Sequence, residues 1–247
     1  MNTLEGKVVL IVGGSSGIGF AVAKYAILSL ASRVIIASST SERVTAAVQE
    51  LTAITMGKNL PGKIIGEAVN AKESASVKGL VNRIGEIDHL VWTSGESLKT
   101  GFKDVDLDGC RDLFDIRFWG AMIAVQNAKF RHGGSVVLTT GSTVVKPPPG
   151  YALVAGLAGA IDAVVRGLAV DLAPIRVNAV SPGVVNTKLW NTLPTESRKK
   201  VMENAAAKLL VKHVAEPDEI AEVYLFLMKC DYITGQRIEV DGGNRFV

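Results

Sequence analysis

The sequence is poor in cysteine, with two in 247 residues. Cys110 and Cys230 lie far apart and lack the short repeated spacing of metal ligands, so we expect no metal site. Together they allow at most one disulfide, and reduced thiols in a reducing compartment are the expected state. Neither is a strong candidate for a catalytic nucleophile.

Long apolar runs and a charge of one sign are also absent. No stretch approaches the roughly twenty consecutive apolar residues of a membrane helix. The N-terminal stretch MNTLEGKVVLIVGG lacks the basic region and cleavage site of a secretory signal. The 27 basic and 24 acidic residues are mixed along the chain and leave a net charge of +3. We therefore expect a cytoplasmic protein that binds neither membranes nor nucleic acid.

The chain is instead rich in apolar runs of strand length that alternate with amphipathic stretches of helix length. This pattern predicts one α/β domain over 1–247, a Rossmann-type doubly wound parallel sheet with helices on both faces. The expected strands are 7–14, 33–39, 62–70, 87–95, 133–141, 175–183 and 234–243. The expected helices are 18–30, 41–54, 74–84, 110–130, 153–171 and 217–228. Residues 186–215 lack strand character and are expected to form one or two helices over a cleft. We call them the lid segment.

A glycine-rich loop follows the first predicted strand, in the stretch VGGSSGIG. Gly13, Gly17 and Gly19 give the spacing G-x-x-x-G-x-G between a strand and a helix. Glycine lets the backbone turn tightly and approach a pyrophosphate, which lies against the amides at the helix N-terminus. The loop therefore predicts a dinucleotide site, to which Ser15, Ser16 and Ile18 also belong.

The end of the second predicted strand distinguishes the two nicotinamide dinucleotides. NAD sites place an acidic residue there to bind the ribose hydroxyls. Here the stretch ASSTSER has no acid at the strand end. Hydroxyls and a guanidinium can bind a 2′-phosphate that a carboxylate would repel, which favours NADP(H). In the alternative interpretation these hydroxyls only cap the next helix. The candidate residues are Ser38, Ser39, Thr40 and Arg43.

The chain resembles the short-chain dehydrogenase/reductase family along nearly its whole length. The stretches that carry the resemblance are VGGSSGIG, LVWTSG, ITGQRIEVDGG and, most specifically, LAVDLAPIRVNAVSPGVVNT. The resemblance implies a homodimer or homotetramer formed through the helices at 110–130 and 153–171. It also implies further cofactor-binding residues: Asn70, Ala71, Ser94, Gly95, Pro182, Gly183, Val185 and Thr187.

The catalytic residues of that family do not carry over. The stretch AGAIDAVVRGLAVDLAP sets the register without gaps, so Val154 occupies the usual tyrosine position and Ala158 the usual lysine position. The usual serine falls on Gly141, beside Ser142, and Arg117 replaces the usual asparagine. Tyr151 has no lysine four residues later; it either points into the cleft or packs at the helix start.

Two further residues have competing interpretations. Arg117 either faces the substrate or forms an ion pair with Asp112 or Asp115. Asp162 lies on the same helix as Ala158, one turn further on, and is expected to belong to a helix packing surface.

The missing tyrosine and lysine affect the expected chemistry. Ketone reduction needs a proton donor, and losing a general acid typically costs about 10²–10⁴-fold in rate. A substrate that already carries positive charge, such as an iminium, needs only a hydride, and a lysine would repel it. Aromatic faces can stabilise such a cation by about 0.5–2 kcal/mol. The aromatic candidates, each of which could equally be packing, are Trp92, Trp119 and Trp190.

This combination is similar to fungal NADPH-dependent reductases of alkaloid biosynthesis, of the malbrancheamide and paraherquamide type, which also guide a cyclisation. The first hypothesis is therefore an NADP(H)-dependent reductase of an apolar secondary metabolite with an activated C=N bond. The second is a carbonyl or alcohol oxidoreductase that uses Ser142, Tyr151 or Arg117 with water as a replacement proton donor. The third is a catalytically silent dinucleotide-binding protein.

Overall fold

All seven strands of the computed structural model, which describes residues 3–192 and 194–247, lie in one parallel sheet. Their order is β3-β2-β1-β4-β5-β6-β7, with β3 and β7 at the partly exposed edges. The apolar runs form the inner strands because helices cover both faces of the sheet. The strands are β1 Val8–Val12, β2 Arg33–Ser38, β3 Lys63–Ala68, β4 Glu86–Trp92, β5 Lys129–Thr139, β6 Arg176–Pro182 and β7 Arg237–Val240.

Two hydrophobic cores lie on opposite faces of this sheet. In β1, Val9 and Ile11 pack in one core, whereas Val8, Leu10 and Val12 pack in the other, as the two-residue period of a strand requires. Helices α1, α2 and α7 cover the first face, and α3, α4 and α5 the second. The predicted doubly wound α/β fold is confirmed. The helices are α1 Gly17–Leu28, α2 Ser41–Gly57, α3 Ser74–Ile84, α4 Ala121–Asn127, α5 Ala152–Asp171, α6 Thr195–Lys208 and α7 Pro217–Lys229.

The prediction of one long helix over 110–130 is wrong. A wide π-helical turn, Asp115–Gly120, precedes the short α4, and β5 already begins at Lys129. Gly120 ends the turn where the chain packs closely, because a Cβ there would lie 2.5 Å from the Ala71 carbonyl oxygen. The last strand is also shorter than the predicted 234–243, since it begins only at Arg237.

Helix α5 is long and apolar enough to cross a membrane by length and composition alone. Its inner face nevertheless packs into the second core through Leu157, Ile161 and Val165. Such partly buried apolar helices are typical of the layers that flank a parallel sheet.

The lid segment contains a short 3₁₀ turn, Lys188–Thr192, followed by α6. This agrees with the expected helical character of 186–215, of which residue 193 lies outside the described residues. After α6 the chain packs against the protein again at Leu209, which is buried.

Candidate active site

The loops that follow β1, β2, β4 and β6 meet at the carboxyl edge of the sheet. In open α/β sheets this edge, where the strand order reverses between β1 and β4, is the usual place for a ligand. Most of the predicted site residues lie on these loops, so the topology brings them to one edge.

The glycine loop is shaped so that side chains cannot replace its glycines. Gly13 has a φ of +93°, and a Cβ there would lie 2.6 Å from the Ser94 amide nitrogen. A Cβ on Gly19 would lie 2.3 Å from the Gly13 carbonyl oxygen. Helix α1 begins at Gly17, and the side chain of its N-cap, Ser16, makes no capping hydrogen bond. This cradle fits a pyrophosphate, which needs close backbone approach and free helix N-terminal amides.

Sequence reasoning missed Thr93, which lies directly behind the cradle. Its hydroxyl donates to the Val12 carbonyl oxygen at 3.1 Å. The Thr93 hydroxyl oxygen would lie 2.7 Å from a Cβ on Gly13 and 2.4 Å from a Cβ on Gly19. The only signal in the sequence is a hydroxyl residue immediately after β4, in the stretch VWTSG.

The end of β2 contacts the glycine loop. The hydroxyls of Ser15 and Ser38 are 2.8 Å apart. Thr40 is the N-cap of α2, and its hydroxyl accepts from the Arg43 amide at 3.4 Å, so the capping interpretation holds for Thr40. Ser39 and the Arg43 side chain are exposed. Ser38 is therefore the hydroxyl that is placed beside the cradle.

The loops after β3 and β4 hold the other residues implied for the adenosine half. The Asn70 amide donates to Glu73 at 2.8 Å and accepts from the Lys72 backbone at 3.1 Å, so it stabilises the turn before α3. Ala71 is buried, Ser94 is half-buried beside Gly13, and Gly95 is exposed.

The loop after β6 lies beside the glycine loop. The Gly183 amide donates to Val240 at 2.9 Å, and Pro182 is buried as the last residue of β6. Val185 is buried and forms an isolated parallel bridge with Ala215. Thr187 approaches the cradle, since its Cγ2 would lie 3.3 Å from a Cβ on Gly17. The structure thus brings both ends of the predicted cofactor site together.

Arg117 lies within the π-helical turn, against the loop after β4. One of its guanidinium nitrogens donates to the Glu96 carbonyl oxygen at 2.7 Å. A Cβ on Gly95 would lie 2.2 Å from Arg117 Cζ, so the guanidinium packs directly on that glycine. Burial lowers the pKa of Arg117, and the nearby Glu96 charge partly opposes this.

The alternative ion pair of Arg117 does not form within the described part of the chain. Asp112 pairs instead with Lys99, which holds the pKa of Asp112 below its usual range. The guanidinium of Arg117 forms no ion pair with Asp115 among residues 3–192 and 194–247. The wide turn instead directs Arg117 toward the loop after β4, where Glu96 accepts its hydrogen bond.

The first turns of α5 carry the altered catalytic positions. Val154 is 4% exposed and Ala158 is 6% exposed, so both lie inside the protein. The Thr140 hydroxyl donates to the Ala158 carbonyl oxygen at 2.8 Å. Val154 and Ala158 thus form a buried apolar surface, which we call the apolar wall, at the positions where the family pattern has an acid and a cation.

Ser142 and Tyr151 lie at the two ends of the loop between β5 and α5. Ser142 begins a short 3₁₀ turn, and Tyr151 is the N-cap residue of α5; both are half-buried. Neither hydroxyl has a hydrogen-bond partner among the described residues. Both remain candidates for contact with a substrate.

The three tryptophans have different surroundings. Trp92 is 2% exposed, and its indole donates to the Ile116 carbonyl oxygen at 3.1 Å, so its proposed place in a pocket is wrong. Trp119 is 55% exposed and stands edge-on to Phe118. Trp190 is half-buried and donates to the Val185 carbonyl oxygen at 2.9 Å, which places it beside the loop after β6.

Asp162 takes the structural role expected for it. Its carboxylate forms a bidentate salt bridge with Arg166, in which one oxygen lies 3.0 Å from Arg166 Nη2. The same carboxylate also lies 3.5 Å from Arg237 Nη1. It therefore links α5 to β7 through Arg237.

Comparison with known proteins agrees with this architecture. The family model of the SDR-like Rossmann domain matches residues 1–247. The short-chain dehydrogenase/reductase ATR9 of Stachybotrys chlorohalonatus is 34% identical over 251 residues, covering 98% of each chain. The short-chain dehydrogenase/reductase malC of Malbranchea aurantiaca is 30% identical over 251 residues, covering 97% of this chain and 95% of malC.

Two solved structures extend the comparison. The structure of MalC, a reductase/Diels-Alderase from Malbranchea aurantiaca, superposes with a TM-score of 0.91 at 29% identity, covering 100% of this chain and 99% of MalC. A small-chain dehydrogenase solved in complex with NADPH has a TM-score of 0.81 at 29% identity, covering 98% of this chain and 100% of its own. By its family match and its relatives, this chain belongs to the short-chain dehydrogenase/reductase family.

Proposed function

We propose that the protein is an NADP(H)-dependent oxidoreductase that transfers a hydride to an activated C=N bond of an apolar secondary metabolite. The observation that carries this proposal is on α5. Val154 and Ala158 are buried and apolar at the two positions where the family pattern places an acid and a cation. The glycine cradle that would hold the cofactor is nevertheless complete.

The cofactor part of the proposal rests on the cradle and on the end of β2. Gly13, Gly17 and Gly19 would hold the pyrophosphate, and Ser38 would face the 2′-phosphate with no carboxylate at the strand end to repel it. The NADPH complex of a similar dehydrogenase supports the same choice. When bound, NADPH supplies the hydride.

The substrate part rests on charge. An iminium carbon accepts a hydride without a coupled proton, so a site without the usual acid loses nothing for such a substrate. Arg117 carries a positive charge and would repel a cation placed next to it. We therefore propose that Arg117 binds an electronegative oxygen of the substrate, away from the carbon that is reduced. The similarity to MalC, a reductase/Diels-Alderase, supports a reduction with an assisted cyclisation as a later step.

One observation favours a second function, the reduction of a carbonyl with a replacement donor. The hydroxyls of Ser142 and Tyr151 have no hydrogen-bond partner among the described residues, and both flank the loop before α5. A free hydroxyl can donate to a developing alkoxide, either directly or through water.

A single-turnover assay tests these proposals. The protein loaded with NADPH is mixed with a panel of ketones and with an N-methyl dihydroisoquinolinium salt, and the loss of NADPH fluorescence is followed. We expect turnover of the iminium salt without turnover of the ketones. Efficient ketone reduction that collapses in Tyr151→Phe would replace the first function with the second.

The same assay distinguishes an enzyme from a protein that binds NADPH without catalysing a reaction. NADPH binding without oxidation by either class of substrate would leave only a dinucleotide-binding protein. The matched control is Tyr25→Phe, which removes a hydroxyl that contacts Asp218 on the far face of the sheet. We expect this variant to keep the activity of the original protein.

We also propose that the protein forms a homodimer or homotetramer through α4 and α5. The outer face of α5 carries glycines at 156, 159 and 167, where an added Cβ would meet nothing within 4 Å. Glycine inside a helix lowers stability by about 0.5–1 kcal/mol relative to alanine. A helix face that carries three glycines has no side chains to keep the backbone of a partner helix away, so it allows close packing.

A further inference from the structure

Helix α6 of the lid segment is attached weakly by apolar packing. None of the residues in Thr195–Lys208 whose side chains are described is buried. An open groove of about 300 Å³ lies beside this helix, lined by Met202 and Ala206 of α6 and by Asn186 and Lys212 of the neighbouring loops. Another kind of contact must therefore fix the position of α6.

A chain of hydrogen bonds through Arg198 connects α6 to the loop after β6. One guanidinium nitrogen donates to the Asn186 side-chain oxygen at 2.6 Å, and the other donates to the Asn191 side-chain oxygen at 2.5 Å. The amide nitrogen of Asn186 then donates to the Glu216 carboxylate at 2.8 Å. We call Arg198, Asn186 and Glu216 the latch. A planar guanidinium suits this task because it holds two acceptors in a fixed geometry.

Several hydrogen bonds hold the far end of the latch. Glu216 is the N-cap of α7 and forms a capping box with Glu219. The backbone amide of Asn186 also donates to the Ala215 carbonyl oxygen at 2.8 Å. Asn186 is thus held by both its backbone and its side chain, and Arg198 ties α6 to this fixed point.

The latch passes through the loop proposed to carry the nicotinamide half of the cofactor. Asn186 stands between Val185 and Thr187, and Thr187 lies beside Gly17 of the cradle. Any displacement of α6 that pulls on Asn186 therefore also moves the neighbours of the cradle.

We infer that Arg198 is a positioning residue that couples the lid helix α6 to the nicotinamide half of the cofactor site. The inference rests on the proposed function, because it needs the nicotinamide to lie against the loop after β6. Binding of the nicotinamide half of the cofactor and docking of α6 therefore stabilise each other, because both require the same conformation of Asn186. Binding of the adenosine half, on the glycine loop and β2, does not depend on the latch.

The test compares two ligands, NADPH and 2′,5′-ADP, which lacks the nicotinamide half. In Arg198→Ala we expect the Kd of NADPH to rise about 10- to 100-fold, as the loss of charged hydrogen bonds predicts, while the Kd of 2′,5′-ADP stays unchanged. Arg198→Lys keeps the charge and one of the two bonds, so its Kd for NADPH should be intermediate. Lys200→Ala removes an exposed positive charge from the same helix and should bind both ligands normally.

Hydrogen exchange of the α6 amides gives a second readout. NADPH should slow exchange over 195–208 in the original protein and in Lys200→Ala, but not in Arg198→Ala. Equal weakening of both ligands in Arg198→Ala, or unchanged binding of both with unchanged exchange, would overturn the latch. Failure of the original protein to bind either ligand would instead overturn the proposed function, and the latch with it.

Discussion

At the scale of single residues, the end of β2 shows how one side chain can select a cofactor. The Ser38 hydroxyl lies 2.8 Å from the Ser15 hydroxyl, directly against the glycine loop. Thr40 and Arg43, two residues proposed for the same task, contact each other across the helix N-terminus. The preference for NADPH should therefore depend mainly on Ser38.

Placing a carboxylate at this position should reverse the preference. In Ser38→Asp the new charge repels a 2′-phosphate, so we expect NADPH affinity to fall about tenfold or more while NADH affinity is kept or improved. Titration of both cofactors by fluorescence measures the ratio. The control is Ser32→Asp, an exposed position before the opposite end of the same strand. An unchanged ratio in Ser38→Asp would contradict this assignment.

His89 is a buried group that the proposed reaction does not use. It is 2% exposed in β4, its Nδ1 lies 2.8 Å from the Ser135 hydroxyl, and its Nε2 is buried without a partner among the described residues. Burial lowers its pKa to about 4, although the charge of Asp88 opposes the shift. The folded protein therefore holds His89 neutral.

This burial makes stability depend on pH. Between the unfolded and folded pKa values of His89, the unfolded state binds more protons, so stability falls as the pH drops. From pH 7 to pH 5 the free energy of unfolding should decrease by about 2 kcal/mol through this group. Urea unfolding at both pH values measures the difference, which His89→Gln should remove. His132→Gln, at an exposed position, should keep it; equal pH dependence in His89→Gln would show that another group is responsible.

At the scale of elements, the register of α5 decides what faces the candidate site. Leu157 and Ile161 are buried in the second core, which fixes the rotation of the helix. Val154 and Ala158 follow from that rotation and form the apolar wall. The wall is thus a property of the whole helix, because its inner face cannot turn without exposing the core residues.

Adding a charge to this wall tests the proposed substrate. In Ala158→Lys the ammonium would repel a cationic substrate, so we expect reduction of the N-methyl dihydroisoquinolinium salt to slow about 10- to 100-fold. Ala158→Met adds a similar length without charge and controls for bulk. Single-turnover rates and the NADPH Kd are measured for both variants. Equal rates in the two variants would argue against a substrate cation near Ala158.

At the scale of the whole molecule, the exposed apolar groups favour assembly. Trp119 next to α4 is 55% exposed, and Val170 on α5 is 78% exposed. Val170 lies on α5 itself, and the π-helical turn that carries Trp119 contacts α5. Exposed apolar surface is typical of subunit interfaces.

Blocking the glycine-rich face should separate the subunits. In Gly156→Trp the indole would stand where a partner helix is proposed to pack, so we expect a shift toward monomer in light scattering coupled to size exclusion. Met56→Trp changes an exposed residue on α2 and should leave the assembly intact. A monomeric original protein, or an unchanged mass in Gly156→Trp, would contradict the proposed interface.

The sequence by itself determined the sheet, the glycine cradle and the absence of the tyrosine and lysine. These features follow from local rules, namely two-residue and helical periodicity, glycine spacing and an ungapped register on α5. Only the tertiary structure decided that Trp92 belongs to the core, that Arg117 lies on Gly95, and that Arg198 holds the lid through Asn186. Those contacts join residues on different structural elements, and their partners depend on where the π-helical turn and the loop after β6 direct each side chain.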